Sequence, residues 1–283
     1  MNPIDTGKAI ARLRKDAGYT QASLAEALEI SDKAVSKWER GIACPDISLL
    51  PRLSVLLDTD IEGLVTGDTA PRGQKWNGIL ALDSLATTRV YSKPMVYFLL
   101  QNFLLVGIKN ILIIGGNVEP KLGSGEQYGV RFFYSNSNFA ESLLSHREFL
   151  NSNAMVFYGN TLVYGANLTR KYQAMMFHVD NAVIMKTDGG ARVPLIFCPE
   201  NCWKRKENKI SFWKNPEEMV RDIHPIEKKF TRGVVALPMN DIDQIMTASR
   251  FVQIIEHNDG REIANIEEIA RSRGLKKGEL EDL

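Results

Sequence analysis

Cysteine is scarce in this 283-residue chain. Cys44, Cys198 and Cys202 are too few for a disulfide framework and suit a reducing compartment. Cys198 and Cys202, in CPENC, could hold two metal ligands. No second Cys or His pair at zinc spacing accompanies them, so two ordinary thiols are expected. Long apolar runs are missing too. The richest, MVYFLLQNFLLVG, falls short of the roughly 18 residues that cross a bilayer and is bracketed by Lys93 and Lys109, so it reads as a buried helix with no membrane partner. The opening MNPIDTGKAI has no apolar core followed by a cleavage site, which predicts a cytoplasmic chain. Charge of one sign is also absent: 35 Lys and Arg face 34 Asp and Glu, a net of +1, so the chain as a whole advertises no polyanionic partner. His146, His178, His224 and His257 are scattered and sit at no catalytic spacing.

What is present divides in two. Residues 1–67 read as short helices, and 68–76 (DTAPRGQKW) as a polar linker broken by Pro71 and Gly73. Beyond it, WNGILAL and KNILIIGG are short apolar runs ending in turn residues, as buried parallel strands do. A helix over 94–106 between them completes a βαβ unit. VRFFY, AMVFYG, NAVIMKT and VPLIFC are further strand candidates, with helices expected over 241–257 and 265–273. Residues 77–283 form the second domain.

Segment 20–41 is TQASLAEALEISDKAVSKWERG. Thr20 can cap a helix with Leu24, Ala25 and Leu28 on one face, and Ser31 can cap the next, where Val35 and Trp38 share a face. Two short helices with a tight turn make a helix-turn-helix. Over residues 4–67 the string resembles the Cro/repressor-type (XRE) pattern T-Q-x-x-L-A-x-x-L-x-[IV]-S-x-x-x-[IV]-S-x-W-E-x-G almost letter for letter. Glu29 departs from it, standing where the family has glycine in the turn; a non-glycine residue there costs on the order of 1 kcal/mol.

That resemblance implies that the second helix enters the major groove of double-stranded operator DNA. Asp32, Lys33, Ser36 and Lys37 would face base edges, Gln21 would clamp a phosphate, and Arg40 would reach another. Residues 1–68 carry eight basic residues and eleven acids, a net of −3, but seven of the basic ones fall in 8–15 and 33–40. Because one such motif reads only a few base pairs, a homodimer is expected.

VYSKPMVYFLLQNFLLVGIKNILIIGG, residues 90–116, resembles the V-Y-D-K-P-M segment of bacterial sugar nucleotidyltransferases, in particular glucose-1-phosphate thymidylyltransferases. LGSGEQYGVRFFY, AMVFYGNTLVYG and RGVVALPMNDIDQIMTASRFVQIIEHNDG continue it over about residues 76–274, with 180–230 poorly matched. The implied fold is an all-α helix-turn-helix domain followed by an α/β Rossmann-like three-layer nucleotidyltransferase-like domain. These enzymes transfer a nucleotidyl group to a sugar phosphate, using amides and cations for the triphosphate and carboxylates for Mg2+.

The functional positions differ. The family's G-G-x-G-T-R loop is replaced by the shorter ALDSLATTR, in which only Thr88 and Arg89 echo it. The base-contacting G-L-A-Q stretch aligns with Asn138, Phe139, Ala140 and Glu141. The aspartate of the G-D motif aligns with Asn160, and that of W-L-D-T-G with Pro238. No counterpart of the E-x-K-P sugar-phosphate segment is visible. The reading is therefore a DNA-binding transcriptional regulator whose second domain is a degenerate nucleotidyltransferase without cofactor, used for dimerisation and for sensing a nucleotide or nucleotide-sugar ligand. The alternative is a bifunctional autoregulatory nucleotidyltransferase in which Asp241 or Asp243 holds Mg2+. Residues 203–232, with nine Lys or Arg against five acids, read as a solvated surface, and Trp203, Phe212 and Trp213 as packing residues.

Overall fold

The computed structural model describes residues 2–17, 19–57, 59, 61–66, 76–176, 181–230, 233–260 and 262–275. The chain forms two compact units, residues 1–70 and 71–283. Residues 68–75 of the expected linker lie outside the described residues, as does His178. Trp76, which the sequence places both at the end of the linker and at the head of WNGILAL, opens the first strand. It is 4 % exposed because its ring packs edge-on against Phe197.

The first unit contains α1 (Pro3–Asp16), α2 (Gln21–Leu28), α3 (Asp32–Glu39), α4 (Leu50–Leu56) and α5 (Ile61–Thr66). Leu24, Ala25 and Leu28 of α2 meet Val35 and Trp38 of α3 around Ile10, Leu53 and Leu64 in one apolar core. Thr20 caps α2 in a reciprocal box with Ser23, whose hydroxyl accepts the Thr20 N–H at 2.8 Å. Glu29 adopts the left-handed conformation expected of the turn, φ 60°. Ser31 occupies the cap position of α3, but its side chain makes no capping hydrogen bond. The neighbouring Asp32 carboxylate takes up a first-turn amide instead, accepting from Lys33 N–H at 2.7 Å. Gly7 lets α1 lie against the end of α3: a Cβ there would stand 2.0 Å from the Trp38 carbonyl oxygen.

The second unit is a seven-stranded mixed sheet. Its strands are β1 (Trp76–Ala81), β4 (Asn110–Ile114), β5 (Arg131–Ser135), β6 (Asn153–Tyr158), β8 (Val183–Lys186), β9 (Arg192–Cys198) and β10 (Ile226–Lys229), in the order β10-β8-β9-β6-β1-β4-β5. β1 runs parallel to β4 and β6, and β4 to β5, while β9 runs antiparallel to β6 and β8. A hairpin of β2 (Arg89–Val90) and β3 (Lys93–Pro94) follows β1, and β7 (Thr161–Gly165) pairs with β11 (Val234–Pro238) apart from the main sheet.

Both faces of the sheet are covered, which is why its central strands are continuously apolar. Trp76 and Leu80 of β1 join a core with α6 (Met95–Leu105), α9 (Leu168–Met176), α12 (Ile242–Asp259) and α13 (Ile266–Ser272). Ile79 of the same strand joins the opposite core with α8 (Phe139–Ser145), α10 (Glu200–Lys206) and α11 (Pro216–Ile223). The short α7 (Glu119–Leu122) follows β4. Helix, sheet and helix make the three layers. The carboxyl ends of the parallel strands β1, β4, β5 and β6 therefore share one edge, with Ala81 in register with both Ile114 and Tyr158.

Candidate functional site

In the first unit the apolar positions of α3 point inward and the polar ones outward. Val35 and Trp38 are buried, whereas Asp32, Lys33, Lys37 and Arg40 are exposed and Ser36 is half-buried. The exposed side chains form one stripe, with Thr20 and Ser31 at the adjoining helix starts. Arg40 Nε also donates to the Ser36 carbonyl at 3.2 Å, closing the helix end.

Behind the stripe lies an ion-pair cluster. Arg14 of α1 grips Glu39 of α3 through Nε at 2.6 Å and Nη2 at 3.1 Å, and donates from Nη1 to the Tyr19 carbonyl at 2.7 Å. Gln21 Nε2 donates to the second oxygen of Glu39 at 2.6 Å. Burial pushes the Glu39 carboxyl up, but the hydrogen bonds from Arg14 and Gln21 outweigh it and hold the group below its ordinary value. The hydrogen bond to Glu39 raises Arg14 in turn, against the opposing effect of burial. Gln21 is thus oriented by the protein, with one amide hydrogen committed to Glu39 and one left to donate.

In the second unit, a cleft of about 510 Å³ opens at the carboxyl edge of the sheet, where ligands of open α/β folds bind. Leu82, Asp83, Ser84 and Thr87 line it from the end of β1, Gly116 and Asn117 from β4, and Asn136 from β5. The 3-10 turn Ser84–Thr87 fills the place expected for the glycine-rich loop, and Asp83 caps it by accepting from Leu85 N–H at 2.8 Å. Gly116, at φ 73°, admits this close packing: a Cβ there would stand 2.8 Å from that of Leu82.

Asn160, after β6, is 2 % exposed and donates from Nδ2 to the other Asp83 oxygen at 2.7 Å. Its own Oδ1 is buried without a hydrogen-bond partner among the described residues. Its backbone carbonyl accepts from Met239 N–H at 2.8 Å, which brings Pro238, the last residue of β11, to the same corner. The remaining expected positions lie elsewhere. Arg89 is exposed on β2 and donates to the Ser92 carbonyl at 3.2 Å. Asn138 caps α8 by accepting from Glu141 N–H at 3.0 Å, and the Glu141 side chain is exposed. None of these three lines the cleft. Lys93 is held by the protein: it donates to the Ile263 carbonyl at 2.7 Å and pairs with Glu262 at 3.0 Å and Glu256 at 3.8 Å. Asp241 caps α12 by accepting from Gln244 N–H at 2.9 Å.

Asp83 was missed by sequence reasoning. Its signal was an acidic residue immediately after the apolar run GILAL, at a strand's carboxyl end.

Cys198 and Cys202 are buried in the core, and burial pushes the Cys198 thiol well above its ordinary value. Trp203 and Trp213 are buried as expected, the latter donating to Asp222 at 2.7 Å. Phe212, read as a packing residue, is instead 74 % exposed, because the 3-10 turn carrying it directs Ile210 into the core. Residues 231 and 232 of that basic segment lie outside the described residues.

Residues 10–64 match the family model described as a helix-turn-helix. The chain is 32 % identical over 91 residues to glucose-1-phosphate thymidylyltransferase of Neisseria gonorrhoeae, covering 29 % of this chain and 32 % of the relative. It thus spans about a third of that relative's length. To the enzyme of the same name from Neisseria meningitidis serogroup A it is 23 % identical over 242 residues, covering 69 % of this chain and 84 % of the relative. A Bacillus anthracis protein assigned as a glucose-1-phosphate thymidylyltransferase and crystallised with a sucrose superposes at a TM-score of 0.50 and 14 % identity, covering 62 % of this chain and 94 % of that one. At that identity the superposition carries the fold alone.

Proposed function

We propose, from an XRE-type helix-turn-helix joined to a nucleotidyltransferase-like α/β domain, that this protein is a sequence-specific DNA-binding transcriptional regulator with a catalytically inactive second domain. The observation that carries the first half is the outward stripe of α3, with Asp32, Lys33, Ser36, Lys37 and Arg40 presented over a core that holds the helix in place. Lysine donates to guanine O6 and N7 in the major groove, while Arg40 and the free amide hydrogen of Gln21 suit phosphates. Binding as a homodimer would place two such helices about one DNA turn apart.

Support for inactivity comes from the donor set. Magnesium needs oxygen ligands with negative charge. At the positions aligned with the family's carboxylates stand Asn160 and Pro238, and Asp241 is turned into a helix cap. Asp83 is a single carboxylate that already accepts from Asn160 and Leu85. Among the described residues, no three His, Cys, Asp or Glu side chains gather to hold a metal. These residues do not fit a magnesium centre. Losing one transition-state-stabilising group alone removes about 3–4 kcal/mol. In this reading the domain retains a cleft to bind a regulatory ligand and a surface to dimerise.

The test is selection of duplexes from a random pool by the purified chain, followed by anisotropy titration and light scattering of the complex. Enrichment of a two-fold-related site bound by two chains is expected. A pool without enrichment removes the regulator reading, and a monomer both free and on DNA removes the dimer.

A further inference from the structure

The cleft at the carboxyl ends of β1, β4 and β5 has an electrostatic character opposite to that of a triphosphate site. We infer that it binds an uncharged, hydroxyl-rich ligand of the size of a sugar ring and excludes phosphorylated ones; this rests on the reading of the domain as a ligand-binding module. Its lining is Asp83, Ser84, Thr87, Asn117 and Asn136, with Leu82 and Gly116, and includes no Lys or Arg among the described residues. Among the described lining residues Asp83 is the one formally charged group, and it is exposed. A phosphate brought near it meets like charge, and the described lining residues offer no cation to offset it. The two basic side chains of the neighbouring hairpin do not remedy this: Arg89 is turned to the Ser92 carbonyl, and Lys93 to Glu256, Glu262 and the Ile263 carbonyl.

The same groups suit hydroxyls. A carboxylate offers about four lone-pair sites, and Asp83 has committed two of them, to Leu85 and Asn160. The remaining two can accept from adjacent hydroxyls of a ring. The amides of Asn117 and Asn136 each offer donors and an acceptor, and Ser84 and Thr87 add hydroxyls. Leu82 gives an apolar surface for ring C–H groups. A ligand cation is the poorer match, because hydrogen bonds from Asn160 and Leu85 already compensate part of the Asp83 charge.

Asn160 fixes the arrangement. It orients Asp83 from a buried position, donating to the carboxylate at 2.7 Å.

The experiment is titration of the full-length protein, by calorimetry and ligand-observed NMR, with glucose, other neutral hexoses, 6-deoxyhexoses and N-acetylhexosamines. Glucosamine, glucose-1-phosphate and thymidine triphosphate complete the panel, and affinity for the selected DNA is measured with and without each compound. At least one neutral sugar should bind, its phosphate ester at least tenfold more weakly, and Asp83→Asn or Thr87→Val should each weaken the neutral sugar at least tenfold. Tighter binding of glucose-1-phosphate, thymidine triphosphate or glucosamine than of the neutral sugars overturns the inference while leaving ligand sensing intact. Binding unchanged in both variants overturns it as well. If no compound binds, both the inference and the sensing reading fall. A neutral sugar that binds without changing DNA affinity sustains the inference and removes only sensing.

Discussion

Asn160, after the last residue of β6, donates its amide hydrogen across 2.7 Å to the carboxylate of Asp83, which follows β1. Neighbouring parallel strands thus end in a donor and an acceptor that satisfy one another. The negative charge that the resemblance places at position 160 sits instead on the adjacent strand.

Asn160→Asp would set a buried carboxylate against the exposed one of Asp83. Like charges at this separation raise one pKa strongly and cost about 1–3 kcal/mol. In EDTA at neutral pH the melting temperature should fall by several degrees, and the loss should shrink in acid, where the pair holds a proton. Adding Asp83→Asn should restore most of the stability by exchanging the partners. A variant that melts like the parent at both pH values would show that the contact contributes nothing.

The Arg14–Glu39–Gln21 cluster makes the seating of α3 acid-sensitive. Glu39 lies below its ordinary value of 4.5, so its stabilisation is complete above that pH and is lost as pH falls through the lowered value. Hydrogen exchange of α1 and α3 amides in the full-length protein should quicken below pH 4.5, and Glu39→Gln should flatten that dependence. Arg14→Met, which leaves a mostly buried carboxylate without its cation, should cost roughly 2–4 kcal/mol. Exchange independent of pH in the parent protein would argue against the cluster's role.

Lys37→Ala should weaken binding to the selected site by about 1–3 kcal/mol and relax discrimination at one base pair if that lysine reads a base. Arg40→Ala should weaken all sequences nearly alike and lower the slope of log affinity against log salt by about one. Anisotropy at several salt concentrations separates the two. A Lys37→Ala protein with parental affinity and footprint would remove that side chain from the interface.

Lys93→Met should loosen the hairpin from the α12–α13 connection, because it leaves the Ile263 carbonyl and the largely buried Glu256 without their cation. The expected loss is about 1–3 kcal/mol, read as a lower melting temperature with faster exchange at 262–266. Unchanged exchange there would assign Lys93 a surface role.

Much of this architecture was legible in the residues. β1, β4, β6 and β9 announced themselves because strands covered on both faces leave no polar alternation, and α6 did so because all but Tyr97 and Leu105 of its side chains are buried. β10 gave no such signal: Ile226–Lys229 is IEKK at the sheet edge, exposed throughout and paired through its backbone. β7 and β11 were hidden because they pair with each other, 73 residues apart from Thr161 to Val234. In the site, Asn160 and Pro238 were recognisable as substitutions, but the partner of Asn160 was not, since a contact spanning 77 residues leaves no local pattern. Ser31 shows the converse: it holds the cap position of α3, yet the Asp32 carboxylate and not its hydroxyl takes up a first-turn amide.

Lys93 is held at once by Glu256 of α12 and by Glu262 and the Ile263 carbonyl ahead of α13. Releasing this ammonium would unfasten the α12–α13 connection from the hairpin. That side chain is a rivet, and a variant that freed the ammonium to meet a ligand would be a less stable protein.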